Sequence, residues 1–407
     1  MTPDDSNSRP NSGKMKIPPD RADGSSSWVH AGLIFSGVLG QIEPLVLLPV
    51  WLASVAISAW PWPNQLRLPA AAMAALFLAS DGAMLALLPR AKRSWGPVTP
   101  PLLALTGARI LIFWLMALVF PANASMIGLS LAALMQLALG ATAIYATWIE
   151  PFRLGVTRAR FAHPRGPSRP LRLLHISDLH IEGWSPREDA VLAQVEALLP
   201  DLIVVTGDYL NLSSIHDPAA QRDVRALLSR LDAPLGVYAI SGSPVVDQAS
   251  IIGQLLSDLP LRWLQDEGVA IQYGDRALWL MGVRNTYLEA RDAAAIQKLM
   301  AQAPPDALTV LLYHTPDLMP LARDLGVDLY LCGHTHGGQL RLPLYGAIAT
   351  SSKWGKRYEM GRYREGETTL YVSRGLGVEG LGAPRARFLS PPEIILWEIG
   401  NSADSAD

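Results

Sequence analysis

The chain contains 407 residues with a formal net charge of −2, and 50% of its residues are hydrophobic while 17% are charged. Its length allows two domains and a sizeable core, whereas its near-neutral charge excludes the global basicity that is typical of nucleic-acid-binding proteins. The single cysteine, Cys332, excludes an internal disulfide framework and is compatible with a reducing compartment.

Composition divides the chain into five segments. Residues 1–27 are rich in Ser, Pro, Asp and Gly without apolar periodicity, which predicts a disordered tail. This segment lacks an apolar stretch followed by a small-residue cleavage site, so we predict no cleaved signal peptide. The other segments are a predicted transmembrane domain at 28–148, a basic juxtamembrane linker at 149–170, a folded C-terminal domain at 171–400 and a short tail at 401–407.

Residues 28–148 have the composition of a membrane domain. A helix needs about 20 mostly apolar residues to cross a bilayer, and four stretches meet this requirement, at 33–58, 68–89, 101–120 and 125–148. Polar residues and a proline interrupt the first stretch, so a competing count of five spans divides 28–60 into two. We predict an all-α bundle of about four transmembrane helices.

Basic residues set the predicted orientation of these spans. The loop between the second and third spans carries Arg90, Lys92 and Arg93. Six arginines and the single acid Glu150 mark the exit from the fourth span: Arg153, Arg158, Arg160, Arg165, Arg169 and Arg172. The positive-inside rule then predicts a multi-pass inner-membrane protein whose N-terminal tail and C-terminal domain are both cytoplasmic. Five spans would move the tail to the opposite side.

Two opposite charges lie inside the second and third spans. Asp81 and Arg109 are each about nine residues from the basic loop between these spans, so they reach similar depth in an antiparallel helix pair. An unpaired charge at that depth costs at least a few kcal/mol. We therefore predict that Asp81 and Arg109 form a structural ion pair.

The remainder of the chain alternates short apolar runs with helical patterns. An edge strand is predicted at 152–161, followed by a Pro/Gly/Arg linker at 163–170. Further strands are predicted at 171–177, 202–206, 236–240, 277–283, 308–313, 327–332, 369–372 and 394–398. Helices are predicted at 186–199, 218–231, 290–303 and 318–325. This alternation, with strands dominated by Val, Ile and Leu, predicts a layered α/β domain.

Polar side chains stand where four of these strands end. They are Asp178 and His180, then Asp208, then His314, and finally His334 and His336. Because sites in α/β sheets form beyond the carboxyl ends of strands, we expect these side chains to share one site. Clustered carboxylates repel unless a cation neutralises them, and mixed Asp/His ligation suits Mn²⁺, Fe or Zn²⁺ better than Ca²⁺. Two such ions would activate water and clamp a phosphoryl group.

These residues resemble the calcineurin-like metallophosphoesterase superfamily, through the blocks Asp178-x-His180, Gly207-Asp208, His314 and Gly333-His334-x-His336. The closer resemblance, over about residues 151–399, is to a membrane-anchored bacterial branch, through His175-Ile-Ser-Asp-Leu-His180, Gly333-His-Thr-His-Gly-Gly-Gln339 and Ser373-Arg-Gly-Leu-Gly377. It implies a four-layer α/β/β/α sandwich. It also implies that one metal ion takes Asp178, His180, Asp208 and His336, while the second shares the catalytic Asp208 and takes His314 and His334.

One block departs from the family pattern. After the strand at 236–240 the family has Gly-Asn-His-Asp or Gly-Asn-His-Glu, whose Asn completes the second metal shell and whose His lies by the phosphate. Here Ser243 replaces that Asn and Pro244 replaces that His. A hydroxyl is a weaker ligand than an amide carbonyl, and proline donates no proton. Asp247 is a candidate replacement ligand.

The resemblance implies hydrolysis of a phosphomonoester, phosphodiester or pyrophosphate. Because the membrane domain holds the site near a bilayer, we expect a lipid-linked substrate, and the branch resembles proteins that cleave UDP-diacylglucosamine. The rival hypothesis is a catalytically impaired membrane sensor or scaffold that keeps the fold but lacks the Asn-His motif. Among the nearby residues, His175 is expected in the core, while Arg374 is equally compatible with a phosphate contact and with a loop contact.

Overall fold

The computed structural model describes residues 38–379 and 385–402. The predicted tail at 1–27, the beginning of the first predicted span and most of the predicted tail at 401–407 lie outside the described residues.

Four apolar helices form the N-terminal part of the described chain. They are α1 (Leu48–Ala59), α2 (Asn64–Leu87), α3 (Thr99–Val119) and α4 (Ser125–Ile144), and α4 continues through a π-helical turn and a 3₁₀ turn to Phe152. Among the described residues, three helices are long and apolar enough to cross a membrane: Asn64–Leu87, Thr99–Val119 and Ala122–Phe152. They coincide with the second, third and fourth predicted spans. The apolar helix Pro44–Ala59, within the first predicted span, is shorter.

The predicted ion pair between α2 and α3 is confirmed. Arg109 donates two hydrogen bonds to the Asp81 carboxylate, with Nε–Oδ2 and Nη2–Oδ1 distances of 2.5 and 2.6 Å. Its remaining nitrogen donates to Gln136 Oε1 on α4 at 2.8 Å, and Gln136 returns a bond to the Arg109 carbonyl at 2.9 Å. All three side chains are buried. Each guanidinium nitrogen of Arg109 has a hydrogen-bond partner in this network, which joins the three long helices.

The C-terminal domain contains fourteen strands and five helices among the described residues. The strands are β1 (Gly155–His163), β2 (Leu171–Ile176), β3 (Leu202–Val205), β4 (Val237–Ala239), β5 (Arg262–Trp263), β6 (Glu267–Tyr273), β7 (Arg276–Gly282), β8 (Leu308–Leu312), β9 (Leu329–Cys332), β10 (Arg341–Leu342), β11 (Gly346–Ala347), β12 (Gly361–Glu365), β13 (Thr368–Val372) and β14 (Glu393–Asn401). The helices are α5 (Pro186–Leu198), α6 (Pro218–Leu228), α7 (Ala249–Leu256), α8 (Glu289–Ala301) and α9 (Met319–Asp324).

Two six-stranded sheets make up the centre of this domain. The first has the order β1-β14-β2-β3-β4-β5 and the second has the order β12-β13-β9-β8-β7-β6, while β10 and β11 form a separate hairpin. Within the first sheet β2 to β5 run parallel, and within the second β13, β9, β8 and β7 run parallel. The carboxyl ends of these parallel strands therefore meet at shared edges.

Alternation of side chains along the strands explains the layers. In β3, Leu202 and Val204 face the second sheet, whereas Ile203 and Val205 face α5, α6 and α7. In β8, Val310 faces the first sheet while Leu311 faces α8 and α9. Three apolar cores result, and the expected four-layer α/β/β/α sandwich is confirmed.

Several elements were absent from the sequence-based expectations. They are α7, β5, β6, β12 and the β10–β11 hairpin. The strand predicted at 152–161 is present as β1, although it lies in the segment predicted as a linker. It pairs in parallel with β14 from Gly155 to His163. The chain that leaves α4 therefore enters the first sheet directly.

Candidate metal centre

The six polar residues predicted at strand ends lie together in the structure. Asp178 and His180 follow β2, and Asp208 follows the neighbouring parallel strand β3. His314 follows β8, while His334 and His336 follow the neighbouring parallel strand β9. Each sheet thus contributes the ends of two adjacent strands, and the sandwich brings the two pairs of loops face to face. All six side chains are buried.

The backbone turns sharply at most of these positions. Asp178, His180, Asp208, His334 and His336 all have φ between 41° and 72°, in the left-handed region. Residues other than glycine rarely adopt this conformation, and such strain is concentrated at functional sites. The turns aim successive side chains inward, so that both His334 and His336 reach the same centre.

Two glycines allow the loops to approach each other. A Cβ at Gly333 would lie 2.0 Å from Asp178 Oδ2, and a Cβ at Gly242 would lie 2.1 Å from Asp208 Oδ1. No side chain fits at either distance. The two glycines therefore permit the acidic loops of the first sheet to pack on the backbone that carries His334 and Ser243.

The first triad of candidate ligands consists of Asp178, His180 and His336. One atom of each lies within 4.8 Å of the other two. The Nε2 atoms of the two imidazoles are 3.0 Å apart, and Asp178 Oδ1 lies 3.6 Å from His336 Nε2. Asp178 is also fixed by the Ser177 hydroxyl at 2.6 Å and by the backbone N–H of His334 at 2.9 Å.

The second triad consists of Asp208, His314 and His334, again within 4.8 Å. Asp208 Oδ2 lies 3.1 Å from His314 Nε2 and 3.6 Å from His180 Nε2, so this carboxylate stands between the two triads. The Ser243 hydroxyl lies 3.3 Å from Asp208 Oδ2, 3.2 Å from His314 Nε2 and 3.3 Å from His334 Nδ1. Ser243 therefore occupies the place where the family pattern has Asn.

The structure gives Asp247 a different role from the replacement ligand that the sequence suggested. Its carboxylate accepts hydrogen bonds from the backbone N–H groups of Asp208, Tyr209 and Gly242, at 2.9, 3.1 and 2.6 Å. Both oxygens are thus engaged by the backbone of the two loops that carry Asp208 and Ser243. Asp247 joins these loops and does not replace the Asn of the family pattern as a ligand.

The buried carboxylates and imidazoles of the centre shift each other's pKa values. Burial raises the pKa of the Asp178 carboxyl. Burial would also raise the pKa of Asp208, but the imidazoles of His314, His180 and His334 together lower it below its ordinary value. Burial disfavours protonation of His180 and His314, yet Glu379 raises the pKa of His180 to about 9 and Asp208 does the same for His314. A buried cluster of carboxylates and imidazoles whose ring nitrogens face one another is a suitable set of ligands for divalent cations.

Two positioning residues beside the first triad had no signal in the sequence. The Glu379 carboxylate lies 2.6 Å from His180 Nδ1. The fully buried Arg387 donates to the carbonyls of Arg374 at 2.8 Å and Ser390 at 2.9 Å, and its Nη2 lies 3.4 Å from His336 Nδ1. A carboxylate on the far nitrogen of a histidine fixes its tautomer and orientation for metal binding. Both residues lie in loops without periodicity, so only their contacts reveal them.

Other residues singled out in the sequence have structural contacts. His175 is buried in β2, donates to or accepts from the Thr206 hydroxyl at 2.8 Å, and has a pKa lowered by burial to about 3. The expectation of a core histidine is confirmed. Arg374 donates to Glu393 Oε2 at 2.6 Å, which favours its structural interpretation. His216 is exposed on the surface.

Strand-end Asp and His triads between two mixed sheets define the class of metal-dependent phosphoesterases. Residues 171–338, within the C-terminal domain, match the family described as calcineurin-like phosphoesterase. The chain is 29% identical over 265 residues to the uncharacterized metallophosphoesterase YkuE of Bacillus subtilis, an alignment that covers 63% of this chain and 88% of that protein.

Two further relatives have more specific names. The chain is 29% identical over 260 residues to phosphodiesterase YaeI of Escherichia coli, covering 63% of this chain and 92% of that protein. It is 26% identical over 322 residues to UDP-2,3-diacylglucosamine pyrophosphatase LpxG of Chlamydia trachomatis, with the same two coverages of 63% and 92%.

Proposed function

We propose that this protein is a membrane-bound hydrolase that cleaves a phosphodiester or pyrophosphate bond of a lipid-linked substrate. A phosphomonoester is the third bond type compatible with the site. The observation that carries the proposal is the pair of triads, in which two carboxylates and four imidazoles from both sheets face one centre. Such a donor set holds two divalent ions of the Mn, Fe or Zn type.

Each candidate ligand has a proposed position. Asp178, His180 and His336 would hold one ion, and His314 and His334 would hold the other. Asp208 would contribute to both sites, because its Oδ2 lies within 3.6 Å of imidazoles from both triads. When bound, the ions supply Lewis acidity for water and for the phosphoryl oxygens. Ser243 places a hydroxyl at the second triad, while Pro244 contributes no proton to the leaving group.

The membrane domain supports a lipid-linked substrate. Glu182, two residues beyond His180, accepts hydrogen bonds from the Trp95 N–H at 2.6 Å and the Ser94 hydroxyl at 3.2 Å in the loop between α2 and α3. The site is therefore docked on the end of the helical bundle. The names of the relatives YaeI and LpxG suggest a phosphodiester or a nucleoside-diphosphate-linked lipid such as UDP-diacylglucosamine.

Charge distribution supports the proposed location. The basic loop and the arginines after α4 lie on one side of the bundle, which the positive-inside rule assigns to the cytoplasm. We therefore propose a multi-pass inner-membrane protein with a transmembrane domain at 28–148, a juxtamembrane segment at 149–170 and a cytoplasmic metallophosphoesterase domain at 171–400.

Ser243 and Pro244 favour one second candidate, a catalytically impaired sensor or scaffold. In this alternative the fold and one metal ion are retained, but the weaker second triad and the absent proton donor prevent turnover. The two candidates differ in the number of ions bound and in whether hydrolysis occurs.

The test uses the purified full chain reconstituted in lipid nanodiscs with Mn²⁺. Metal content is measured by mass spectrometry, and hydrolysis is assayed with bis(4-nitrophenyl) phosphate and with UDP-diacylglucosamine. We expect two ions per chain and hydrolysis that chelation abolishes. Wild-type protein that cleaves no phosphate bond, together with a Ser243→Asn/Pro244→His variant that does, would establish the impaired alternative.

A further inference from the structure

The β10–β11 hairpin exposes an unusual set of apolar side chains. Leu342, Leu344, Tyr345 and Ile348 are exposed by about half or more of their surface, and Leu344 at the tip is completely exposed. The hairpin begins at Arg341, two residues beyond the segment 333–339, which follows β9 and carries His334 and His336. Contiguous exposed apolar residues next to a site mark a binding surface rather than a solvent-facing loop.

The base of the hairpin is bonded to a segment that contacts the last membrane helix. The Phe388 N–H donates to the Gln339 carbonyl at 2.8 Å, and the Arg341 N–H donates to the Phe388 carbonyl at 3.0 Å. The Phe388 ring packs edge-on against Tyr145, with ring centroids 6.2 Å apart. Tyr145 follows the end of α4. The hairpin is therefore connected through one residue to the end of a predicted span.

The surroundings of Tyr145 have the chemistry of a membrane–water boundary. Arg153 donates to the Tyr145 hydroxyl at 3.0 Å. The Arg93 guanidinium lies over the rings of Trp148 and Phe152, at 5.6 and 4.5 Å from their centroids. Aromatic rings and cations at helix ends are characteristic of the interface between headgroups and acyl chains. The level of Tyr145 thus marks the bilayer surface, and Phe388 brings the hairpin to that level.

The hairpin is held by contacts with the segment 356–359, which also places a cation beside its aromatic residue. Arg341 pairs with Glu359 at 2.9 Å, and the Ala347 N–H donates to the same carboxylate at 3.3 Å. Lys356 lies over the Tyr345 ring, with Nζ 3.4 Å from its centroid. A rigid apolar tip with a cation beside its aromatic residue matches the arrangement of interfacial membrane anchors.

We propose that the tip of the β10–β11 hairpin, residues 342–348, inserts into the lipid bilayer beside the metal centre. This inference rests on the membrane placement proposed above. Since Leu340 follows the loop of His334 and His336 by only a few residues, insertion holds the mouth of the centre against the headgroup layer. A lipid-linked phosphate then reaches the two triads without leaving the membrane.

Site-specific labelling tests the depth of the tip directly. Leu344→Cys is labelled with an environment-sensitive fluorophore in the full chain, in nanodiscs of phosphatidylethanolamine and phosphatidylglycerol. Cys332 is buried and does not compete for the label. Leu199→Cys is the matched control, because Leu199 is also an exposed leucine with a left-handed backbone, at the end of α5.

We expect brominated lipids to quench the label at position 344 and not the label at position 199. Quenching of both labels by aqueous iodide, without quenching by lipid, would overturn the proposal. Protection of position 344 from both quenchers would assign the tip to a protein contact and would also overturn it. These readouts need no enzymatic activity, so they separate this inference from a failure of the proposed hydrolysis.

Activity provides the second readout. A Leu342→Ser/Leu344→Ser variant is expected to hydrolyse a bilayer-embedded substrate about tenfold more slowly, since burial of one leucine is worth at least that factor. Its hydrolysis of bis(4-nitrophenyl) phosphate is expected to equal that of the wild type. The control variant Leu199→Ser is expected to hydrolyse both the embedded and the soluble substrate as fast as the wild type. Equal loss on the soluble and embedded substrates would contradict an effect through the membrane.

Discussion

The two triads of the candidate metal centre have different surroundings. In the first, the Glu379 carboxylate lies on His180, and the Ser390 hydroxyl donates to the His336 carbonyl at 2.7 Å. In the second, His314 Nδ1 bonds the Thr206 carbonyl at 2.7 Å, and His334 Nε2 lies 3.3 Å from the Ser351 carbonyl. The second triad therefore relies on backbone carbonyls, where the first has a carboxylate.

The difference indicates unequal affinities for the two ions. A carboxylate behind a histidine makes the imidazole a stronger ligand than a carbonyl does. The second triad also has the Ser243 hydroxyl at the position where an amide oxygen would complete the shell. We infer that the first ion binds tightly and that the second binds weakly, so that the second ion limits hydrolysis.

The first triad is also joined to the membrane domain. Glu150, at the end of the extended α4, accepts hydrogen bonds from the Ser390 and Leu389 N–H groups at 2.5 and 3.0 Å. The Arg387 N–H donates to the Ala146 carbonyl at 2.9 Å. The segment that orients His336 is therefore anchored on the last helix of the bundle.

Asp208→Asn gives the largest expected effect, because Asp208 is the candidate ligand that lies between the two triads. Loss of its charge lowers the affinity for both ions. We expect hydrolysis of bis(4-nitrophenyl) phosphate to fall by about 10³-fold, which corresponds to several kcal/mol of transition-state stabilisation. Steady-state kinetics measure the loss. His216→Asn, at an exposed histidine outside the centre, is the control, and a similar loss in both variants would contradict the assignment.

Arg109→Ala tests whether the ion pair of the helical bundle affects only the stability of the protein and not its metal binding. Removal of one partner leaves the buried Asp81 carboxyl group without its arginine, so we expect a destabilisation of about 3–5 kcal/mol. Thermal unfolding in nanodiscs measures it, with the exposed Arg90→Ala as the matched control. The affinities for both metal ions are expected to stay unchanged in the fraction that remains folded. A specific loss of one ion would show that the pair acts on the centre.

Glu379→Gln removes the feature that distinguishes the first triad. Because the carboxylate orients His180 and raises its basicity, we expect the affinity of the tighter ion to fall by about 10–100-fold. Calorimetric titration with Mn²⁺ measures the change, and Glu196→Gln on the exposed face of α5 is the control. If the affinity for the weaker ion fell instead, our assignment of the higher affinity to the first triad would be wrong.

Ser243→Asn gives the smallest effect and acts in the opposite direction. The amide oxygen replaces a hydroxyl among Asp208, His314 and His334, so we expect the weaker ion to bind about tenfold more tightly, by ~1.4 kcal/mol. The same titration detects it, with Ser229→Asn on the surface after α6 as the control. An unchanged second affinity would show that Ser243 does not limit this site.

The clustering of the six candidate ligands was predictable from the sequence, because each follows a recognisable apolar strand. The sequence could not predict Glu379 or Arg387, since their roles depend on where two aperiodic loops meet His180 and His336. The edge strands β6 and β12 lack the continuous apolar runs of buried strands, and α7 is only eight residues long. These three elements were therefore not predicted. The pair Asp81–Arg109 was predictable because depth in a bilayer follows from helix length, whereas Gln136 on α4 required the packed structure.

A titration of the metal-free wild type with Mn²⁺, followed by calorimetry and by hydrolysis of bis(4-nitrophenyl) phosphate, tests the central claim most directly. We predict two binding events of unequal affinity, with hydrolysis rising only as the weaker event saturates. Hydrolysis that is complete after the first ion, or protein that binds no divalent ion, would contradict the two-triad account.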